Sequence, residues 1–390
     1  MRTLKKSYKI EINPTQEQKS KIHQTIGVSR FIYNFYISHN KEVYEKEGRF
    51  VSGMDFSKWL NNEYIPNNED KTWIKNVSSK ATKQAIMNGE KTFKNFFKGL
   101  SGFPKFKKKK NQDVKCYFPK NNKTDWTIER HRVKIPTLGF VRLKEYGYIP
   151  KNAIVKSGTV SQRAGRYYVS ILCEIEETQV EPKLEETGLG IDLGIKDFAI
   201  CSTGKVHENI NKTGKVRKLE RKLKREQRSL SRKYENLKKR GEKSATNKRA
   251  NIDKNILRVQ RLHARLVNIR LEYVKSIVNK LVKNKPTYIT IEDLNVKGMM
   301  KNKHLSKAVA GQCFYTFQKW LLAKCKEYGI ELRQVDRFYP SSKLCSCCGR
   351  KKVDLKLSDR VYTCECGNEI DRDLNASINL LQAKEYTILT

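Results

Sequence analysis

No stretch of the 390 residues approaches the roughly 20 consecutive apolar residues that a membrane span needs, so membrane-spanning helices are not expected. The opening Met1-Arg-Thr-Leu-Lys-Lys-Ser-Tyr8 has no apolar signal region, and export is therefore not expected either. No segment recurs at a fixed period, which argues against a solenoid. Acidic residues are scarce: 41 Asp and Glu face 81 Lys and Arg, a net charge of +40. Such an excess repels itself in a compact fold unless a polyanion neutralises it, so a nucleic-acid partner is expected, with affinity falling steeply as salt rises. The ten cysteines do not form the evenly spread framework of a disulfide protein. Five crowd into residues 345–366 and the rest are scattered in apolar contexts, which reads as a metal site in a reducing compartment. The length suggests two or three domains with enough chain to bury a real core.

Against that cationic background, three carboxylates end apolar stretches. Asp192 sits in Gly188-Leu-Gly-Ile-Asp-Leu-Gly-Ile-Lys196, Glu292 in Tyr288-Ile-Thr-Ile-Glu-Asp293, and Asp373 in Asp371-Arg-Asp-Leu-Asn-Ala-Ser377. A carboxylate at such a position is costly unless a cation meets it. Mg²⁺ is the natural partner, because it takes a few carboxylates together with phosphate oxygens and water. Two such ions roughly 4 Å apart would polarise a phosphodiester and ready a water for attack. For the third acid Asp371 competes with Asp373. Asp373 is preferred because it stands directly before the helical pattern Leu374, Ile378, Leu381. In the Glu292–Asp293 pair, one member is expected to be an ordinary strand-end cap. His263 reads as a surface residue without a catalytic part.

Residues 5–12 alternate like a strand, and Pro14-Thr-Gln-Glu-Gln18 then opens a helix with a Thr15–Gln18 capping box. A second helix is expected from Ser78 to about Lys98, with Ala81, Ala85, Ile86, Phe93, Phe96 and Phe97 on or near one face. Lys80 and Gln84, four apart, share its other side. Short β segments follow from Val114 to Glu176, separated by turn signals such as Arg163-Ala-Gly-Arg166, a spacing that predicts a small antiparallel β-barrel. The first strand joins it, which makes the helices an insertion. Glu181–Glu186 reads as a linker. A basic helical hairpin is expected over about 212–285, with Leu219 and Leu223 in one arm, Leu262 and Leu266 in the other, and Gly241–Asn247 as its bend. Its outer faces are expected to be solvated.

Cys345-Ser-Cys-Cys348 and, after fifteen residues, Cys364-Glu-Cys366 form two knuckles. Four thiolates so arranged give the closed tetrahedral shell of one structural Zn²⁺. Cys345, Cys348, Cys364 and Cys366 are the expected ligands, with Cys347 spare. Gly349 and Gly367 permit the tight turns behind each knuckle. An iron–sulfur cluster also takes four thiolates, but the ribbon layout suits zinc.

These motifs, in this order, resemble the TnpB (OrfB) family of transposon-encoded RNA-guided nucleases related to type V CRISPR effectors. The likeness runs from Tyr8–Gln18 and Arg30-Phe-Ile-Tyr-Asn34 through Gly102-Phe-Pro-Lys-Phe-Lys107, Gly190-Ile-Asp-Leu-Gly194 and Ile291-Glu-Asp-Leu294. It continues through Tyr339-Pro-Ser-Ser-Lys343 and the cysteine ribbon to Asp371-Arg-Asp-Leu-Asn-Ala376. The chain departs from the family at Ser377, where alanine is usual.

The resemblance implies a multidomain α+β chain: a helical lobe inserted in a small β-barrel, then a RuvC-like RNase H fold with an inserted zinc ribbon. The barrel would take 1–13 and 101–182, and the helical lobe 14–100. The nuclease domain would take 183–343 and 368–382, the ribbon 344–367, and a tail 383–390. The family's catalytic, Mg²⁺-binding carboxylates fall on Asp192, Glu292 and Asp373. The implied partners are a guide RNA and double-stranded target DNA, with no obligate protein partner and a cytoplasmic, nucleoid-associated location. Helix placement together with the resemblance makes Lys80 and Gln84 candidate readers of a short DNA motif. The expected activity is RNA-guided, two-metal DNA cleavage beside that motif. The rivals are a guided repressor without cleavage, against which an intact triad argues, a compact CRISPR effector, and a transposase that joins strands.

Overall fold

A computed structural model describes residues 2–108, 114–120, 125–150, 153–177, 187–239, 250–356 and 358–389. The expected linker at 181–186 and the hairpin bend at 241–247 lie outside the described residues. The chain divides into two compact units, Met1–Gln179 and Val180–Thr390.

The first unit opens with strand β1 (Arg2–Asn13), in which Tyr8, Ile10 and Ile12 are buried and alternate with outward polar residues. Helix α1 (Gln16–Glu47) follows, and its start forms the capping box expected from the sequence. Thr15 Oγ accepts from the Gln18 N–H, and the Thr15 N–H donates to Gln18 Oε1. The Gln18 amide also donates to the carbonyls of Leu138 and Phe140, which ties the helix start to the sheet. Helices α2 (Gly53–Trp59) and α3 (Ser79–Phe97) pack on α1 around Ile32, Tyr36, Phe56 and Phe93. Gly89 makes the close approach possible, because a Cβ there would lie 2.5 Å from the Tyr36 ring. Ala81, Ala85, Ile86 and Phe93 face inward as their spacing predicts, whereas Phe96 and Phe97 are exposed. They fall in the last turn, at the bundle's edge, where Phe103 and Phe50 give them only ring-edge contacts.

The remaining strands are β2 (Val114–Pro119), β3 (Thr127–Ile128), β4 (Arg132–Ile135), β5 (Gly139–Leu143), β6 (Ile154–Arg163) and β7 (Arg166–Glu177). All pairs are antiparallel in the order β2-β6-β7-β1-β5-β4-β3. Ala164 and Gly165, both at positive φ, turn β6 into β7. No pairing among the described residues joins β2 to β3, so the strands of the expected barrel form an antiparallel sheet whose closure is not shown. Helices α1 and α3 pack beside β2.

The second unit begins with β8 (Leu189–Leu193), β9 (Asp197–Cys201) and β10 (Val206–Glu208), a meander. Helices α4 (Gly214–Lys239) and α5 (Ala250–Lys283) form the basic hairpin, closed by Leu219, Leu223, Leu262 and Leu266. The hairpin is not solvated throughout. Val274, Ile277, Val278 and Leu281 carry the end of α5 into the main core. Next come β11 (Tyr288–Glu292), α6 (Val296–Lys301), α7 (Ser306–Gln312), α8 (Phe314–Tyr328) and β12 (Glu331–Val335). A small hairpin, β13 (Val361–Thr363) and β14 (Glu369–Asp371), leads directly into α9 (Arg372–Gln382).

The expected tail is instead part of the sheet: β15 (Thr387–Ile388) pairs antiparallel with β12, whose outer edge is otherwise unpaired. The order is β10-β9-β8-β11-β12-β15, with β8, β11 and β12 parallel. Ile191, Ile289 and Ile291 share a core with α5 and α8. Helix α9 packs against β8, β9 and β11.

Candidate active site

Parallel pairing of β8 with β11 sets Gly190 opposite Thr290 and Ile191 opposite Ile291. Asp192 and Glu292 follow one step later on adjacent strands and on the same side, because side chains alternate along a strand. Helix α9 covers that side at unusually close range. A Cβ on Gly190 would lie 1.9 Å from the Ser377 carbonyl oxygen and 2.5 Å from the Leu381 nitrogen, so only glycine admits the helix backbone here. Ser377 is buried, and its hydroxyl donates to the Leu374 carbonyl, so the departure from alanine is accommodated within the helix.

This packing brings the first turn of α9, and Asp373, to the strand ends. Burial pushes the Asp192 carboxyl well above its ordinary range, and the charges of Glu292 and Asp373 push it further, against the pull of Arg372. Burial also raises Glu292, which Ser341 counters by donating its hydroxyl to Glu292 Oε1. Arg372 lies 3.3 Å from Asp373 Oδ1. Asp371 does something else: its Oδ1 accepts from the N–H groups of Asp373 and Leu374, at 2.9 and 3.1 Å, as the cap of α9. Asp293 pairs with Arg337 at 2.6 Å.

The three acids are electrostatic neighbours but stand wider than a single-ion cage. Among the described residues, only the four cysteines bring three or more such donor atoms within 4.8 Å of one another. The donor set is nonetheless right for hard cations: oxygen only, partly buried, and crowded with like charge.

The cysteine group is Cys345, Cys348, Cys364 and Cys366, with the 345–366 and 348–364 sulfurs each 3.6 Å apart. Gly349 and Gly367 lie at φ +74° and +85° and donate their N–H groups to the carbonyls of Cys345 and Cys364. Cys347 is exposed and outside the cluster. Although burial opposes it, the Cys348 N–H and the Asn368 amide bring the Cys345 thiol down to about 6. Cys366, despite the Asn368 N–H beside it, is pushed up to about 12 by burial and the three other sulfurs. Four thiolates cannot coexist this closely without a cation, so the cluster can hold one metal ion.

Of the candidate motif readers, Lys80 pairs with Asp125 at 3.1 Å and Gln84 donates to Asn88 at 3.2 Å. Gln84, but not Lys80, lines a cleft of about 380 Å³ shared with Arg30, Lys107 and Lys115. His263 lies on the hairpin, 3.3 Å from the Gln227 amide and far in sequence from the acids.

Sequence reading missed the supports. Ser341 reaches Glu292, and on α9 the buried Asn375 and Asn379 donate to the carbonyls of Leu344 and Ser341. Two asparagines four apart on an otherwise apolar helix face were the available signal.

Residues 1–49 match a family model described as "Helix-turn-helix domain", 170–303 one described as "Probable transposase", and 314–380 one described as "Cas12f1-like, TNB domain". In the structure, the described residues of this stretch form strand β1 (Arg2–Asn13) and one unbroken helix, α1 (Gln16–Glu47). A Streptomyces pristinaespiralis protein named "Putative RNA-guided DNA endonuclease" is 32% identical over 384 residues, covering 98% of this chain and 90% of the relative. The chain belongs to the TnpB (OrfB) family. The Escherichia coli K12 protein named "Putative RNA-guided DNA endonuclease InsQ" is 29% identical, covering 97% of this chain and 92% of the relative. Among solved structures, the Cas12f1-sgRNA-target DNA complex shares the fold at a TM-score of 0.55 and 14% identity, covering 99% of this chain and all of that one. The family models over 170–303 and 314–380 take in all three carboxylates and the four cysteines.

Proposed function

We propose that this protein is a transposon-encoded, RNA-guided DNA endonuclease that cuts double-stranded DNA beside a short motif. The convergence of Asp192, Glu292 and Asp373 under α9 carries the reading. The strand order β10-β9-β8-β11-β12 with α9 across one face supports a RuvC-like RNase H fold. The relatives' names and the net charge of +40 support a nucleic-acid substrate. Among the described residues no helix is long and apolar enough to cross a membrane.

Two Mg²⁺ ions held by the three carboxylates would supply Lewis-acid polarisation of the phosphodiester and a metal-bound nucleophile. Asp192, which feels the charge of both other acids, would hold metal together with them. Ser341 orients Glu292, and Arg372 restrains Asp373. The basic faces of α4 and α5 contact phosphates, which position a duplex without reading it, while guide pairing supplies sequence choice.

In the ribbon, one Zn²⁺ on Cys345, Cys348, Cys364 and Cys366 holds a segment too small for its own core. Cys364→Ser is expected to lower bound zinc from one equivalent to near none and to expose the ribbon to protease, whereas Cys347→Ser changes neither. Zinc assay and limited proteolysis check both.

Lys80 and Gln84 are proposed to read the DNA motif from α3, which the cationic lining beside Gln84 favours. The decisive experiment purifies the protein with its co-expressed RNA and supplies a target library with randomised flanks. We expect one discrete RNA species, cleavage dependent on it, and one enriched flank that Gln84→Ala or Lys80→Ala relaxes. Random RNA fragments and no cleavage would leave only a polyanion binder. Cleavage with an unaltered flank in both variants would remove the reader assignment alone.

A further inference from the structure

Beside Glu292, the second unit has a recess of about 230 Å³ that hydrolysis does not itself require. Leu193, Ile291 and Phe314 give it an apolar floor, and Glu292 is part of its lining. Tyr315, Gln318 and Arg337 add polar groups. Apolar surface with a few placed polar groups is how proteins take a small planar ligand. The frame is fixed: Phe314 is buried against Phe198, with centroids 6.0 Å apart, and Arg337 is held by Asp293. Tyr315, by contrast, is 60% exposed, with Lys319 Nζ 4.8 Å from its ring centroid.

A second observation comes from the loop that bears Arg337. The next residue, Phe338, is 87% exposed, yet the loop around it is tied down. The Phe338 N–H donates to Asp336 Oδ1 at 2.8 Å, and the Tyr339 hydroxyl donates to the Asn379 carbonyl at 3.2 Å. Ser341, two residues further, is bonded to Glu292. A slack loop would fold its ring away from water. This one holds an apolar ring outward, three residues from the hydroxyl that orients a site carboxylate.

We propose that the recess takes one unpaired nucleobase next to the scissile phosphate, with Tyr315 and Phe338 as stacking faces for it and its neighbour. Gln318 would meet the base edge, and the free donors of Arg337 the adjoining phosphate. The assignment rests on the nuclease reading and names how that site holds its strand. Charge selects the occupant. A polyanion fits a protein of net charge +40, and the recess has Glu292 in its lining. Stacking on protein aromatics tolerates any base and contributes about tenfold per base in affinity.

The test uses the RNA-loaded protein and target DNA in which one abasic nucleotide is moved stepwise through the cut region. Wild type should lose about tenfold in single-turnover cleavage at one or two adjacent positions and little elsewhere. Tyr315→Ala and Phe338→Ala should each lose about tenfold on intact DNA but lose little more when the abasic position is already present. Tyr315→Phe, which keeps the ring, should recover most of what Tyr315→Ala loses. Both positions are exposed, so folding is not at stake. A flat abasic scan in an active wild type overturns the recess assignment, as do losses that multiply in full. A wild type that cuts no DNA under any guide overturns the nuclease reading, and this assignment with it.

Discussion

Asp192→Asn is expected to abolish cleavage while leaving guide and target binding intact. The loss should exceed the roughly 100- to 1000-fold typical of removing one transition-state donor, because Asp192 is the acid that feels both others. The same variant should be more stable than wild type in Mg²⁺-free buffer at neutral pH. The sign follows from the direction of the shift. Burial first, then Glu292 and Asp373, raise the Asp192 pKa above its unfolded value, so the ionised form burdens the folded state. Asparagine removes that burden. The gain should be present near pH 7, decline as pH falls towards about 4, and be gone below it, where the unfolded carboxyl is protonated as well. Cleavage assays, filter binding and melting curves across pH check each part. A variant that cuts normally would sink the active-site assignment. An equal or lower melting temperature would show that the carboxylates are not crowded in the metal-free protein.

Gly190→Ala is expected to have the next largest effect, although it adds one methyl and removes no functional group. The added carbon would meet the backbone of α9 at 1.9 and 2.5 Å, and a backbone cannot rotate aside as a side chain can. Helix α9 must therefore lift from β8. Overpacking of this kind costs about 1–3 kcal/mol or more. The helix also carries Asp373, Asn375 and Asn379, so the lift displaces a site carboxylate and strains the bonds to Leu344 and Ser341 together. A misplacement of about 1 Å can cost on the order of 100-fold in rate. Cleavage should fall by about that factor and the melting temperature should drop. Gly214→Ala, where nothing lies within 4 Å, serves as the control and should change neither. Full activity in Gly190→Ala would mean that α9 does not set the position of Asp373.

How far the sequence could be read varies with the range of the interaction. The Thr15–Gln18 cap, the buried face of α3 up to Phe93 and the β6–β7 turn were legible because each is decided within a few residues. So were the two cysteine knuckles, whose four sulfurs the fold brings together as their spacing suggests. The choice between Asp371 and Asp373 was legible in part, since a carboxylate before a helical pattern can cap or point inward. The structure shows Asp371 spending its oxygen on the cap. What misled were features whose outcome depends on distant partners. Strand spacing predicted the antiparallel strands of the barrel but does not say whether its outermost two pair. The end of α5 was grouped with the basic hairpin, yet its apolar stripe packs with α8 in the main core. Residues 383–390 looked like a tail because a two-residue strand carries no pattern of its own and exists through its pairing with β12.

The sequence by itself determined the chemistry available: three carboxylates at apolar ends, four thiols in two knuckles, and a large cationic excess. These are properties of residue type and local spacing, and no fold is needed to count them. Only the tertiary structure decided that Asp192 and Glu292 share one side of neighbouring strands, that Gly190 lets α9 close over them, and that Ser341 and a recess of about 230 Å³ stand beside Glu292. Those facts depend on strand register and helix–sheet distance, which are set by packing between segments a hundred residues apart and leave no trace in the spacing of any one of them.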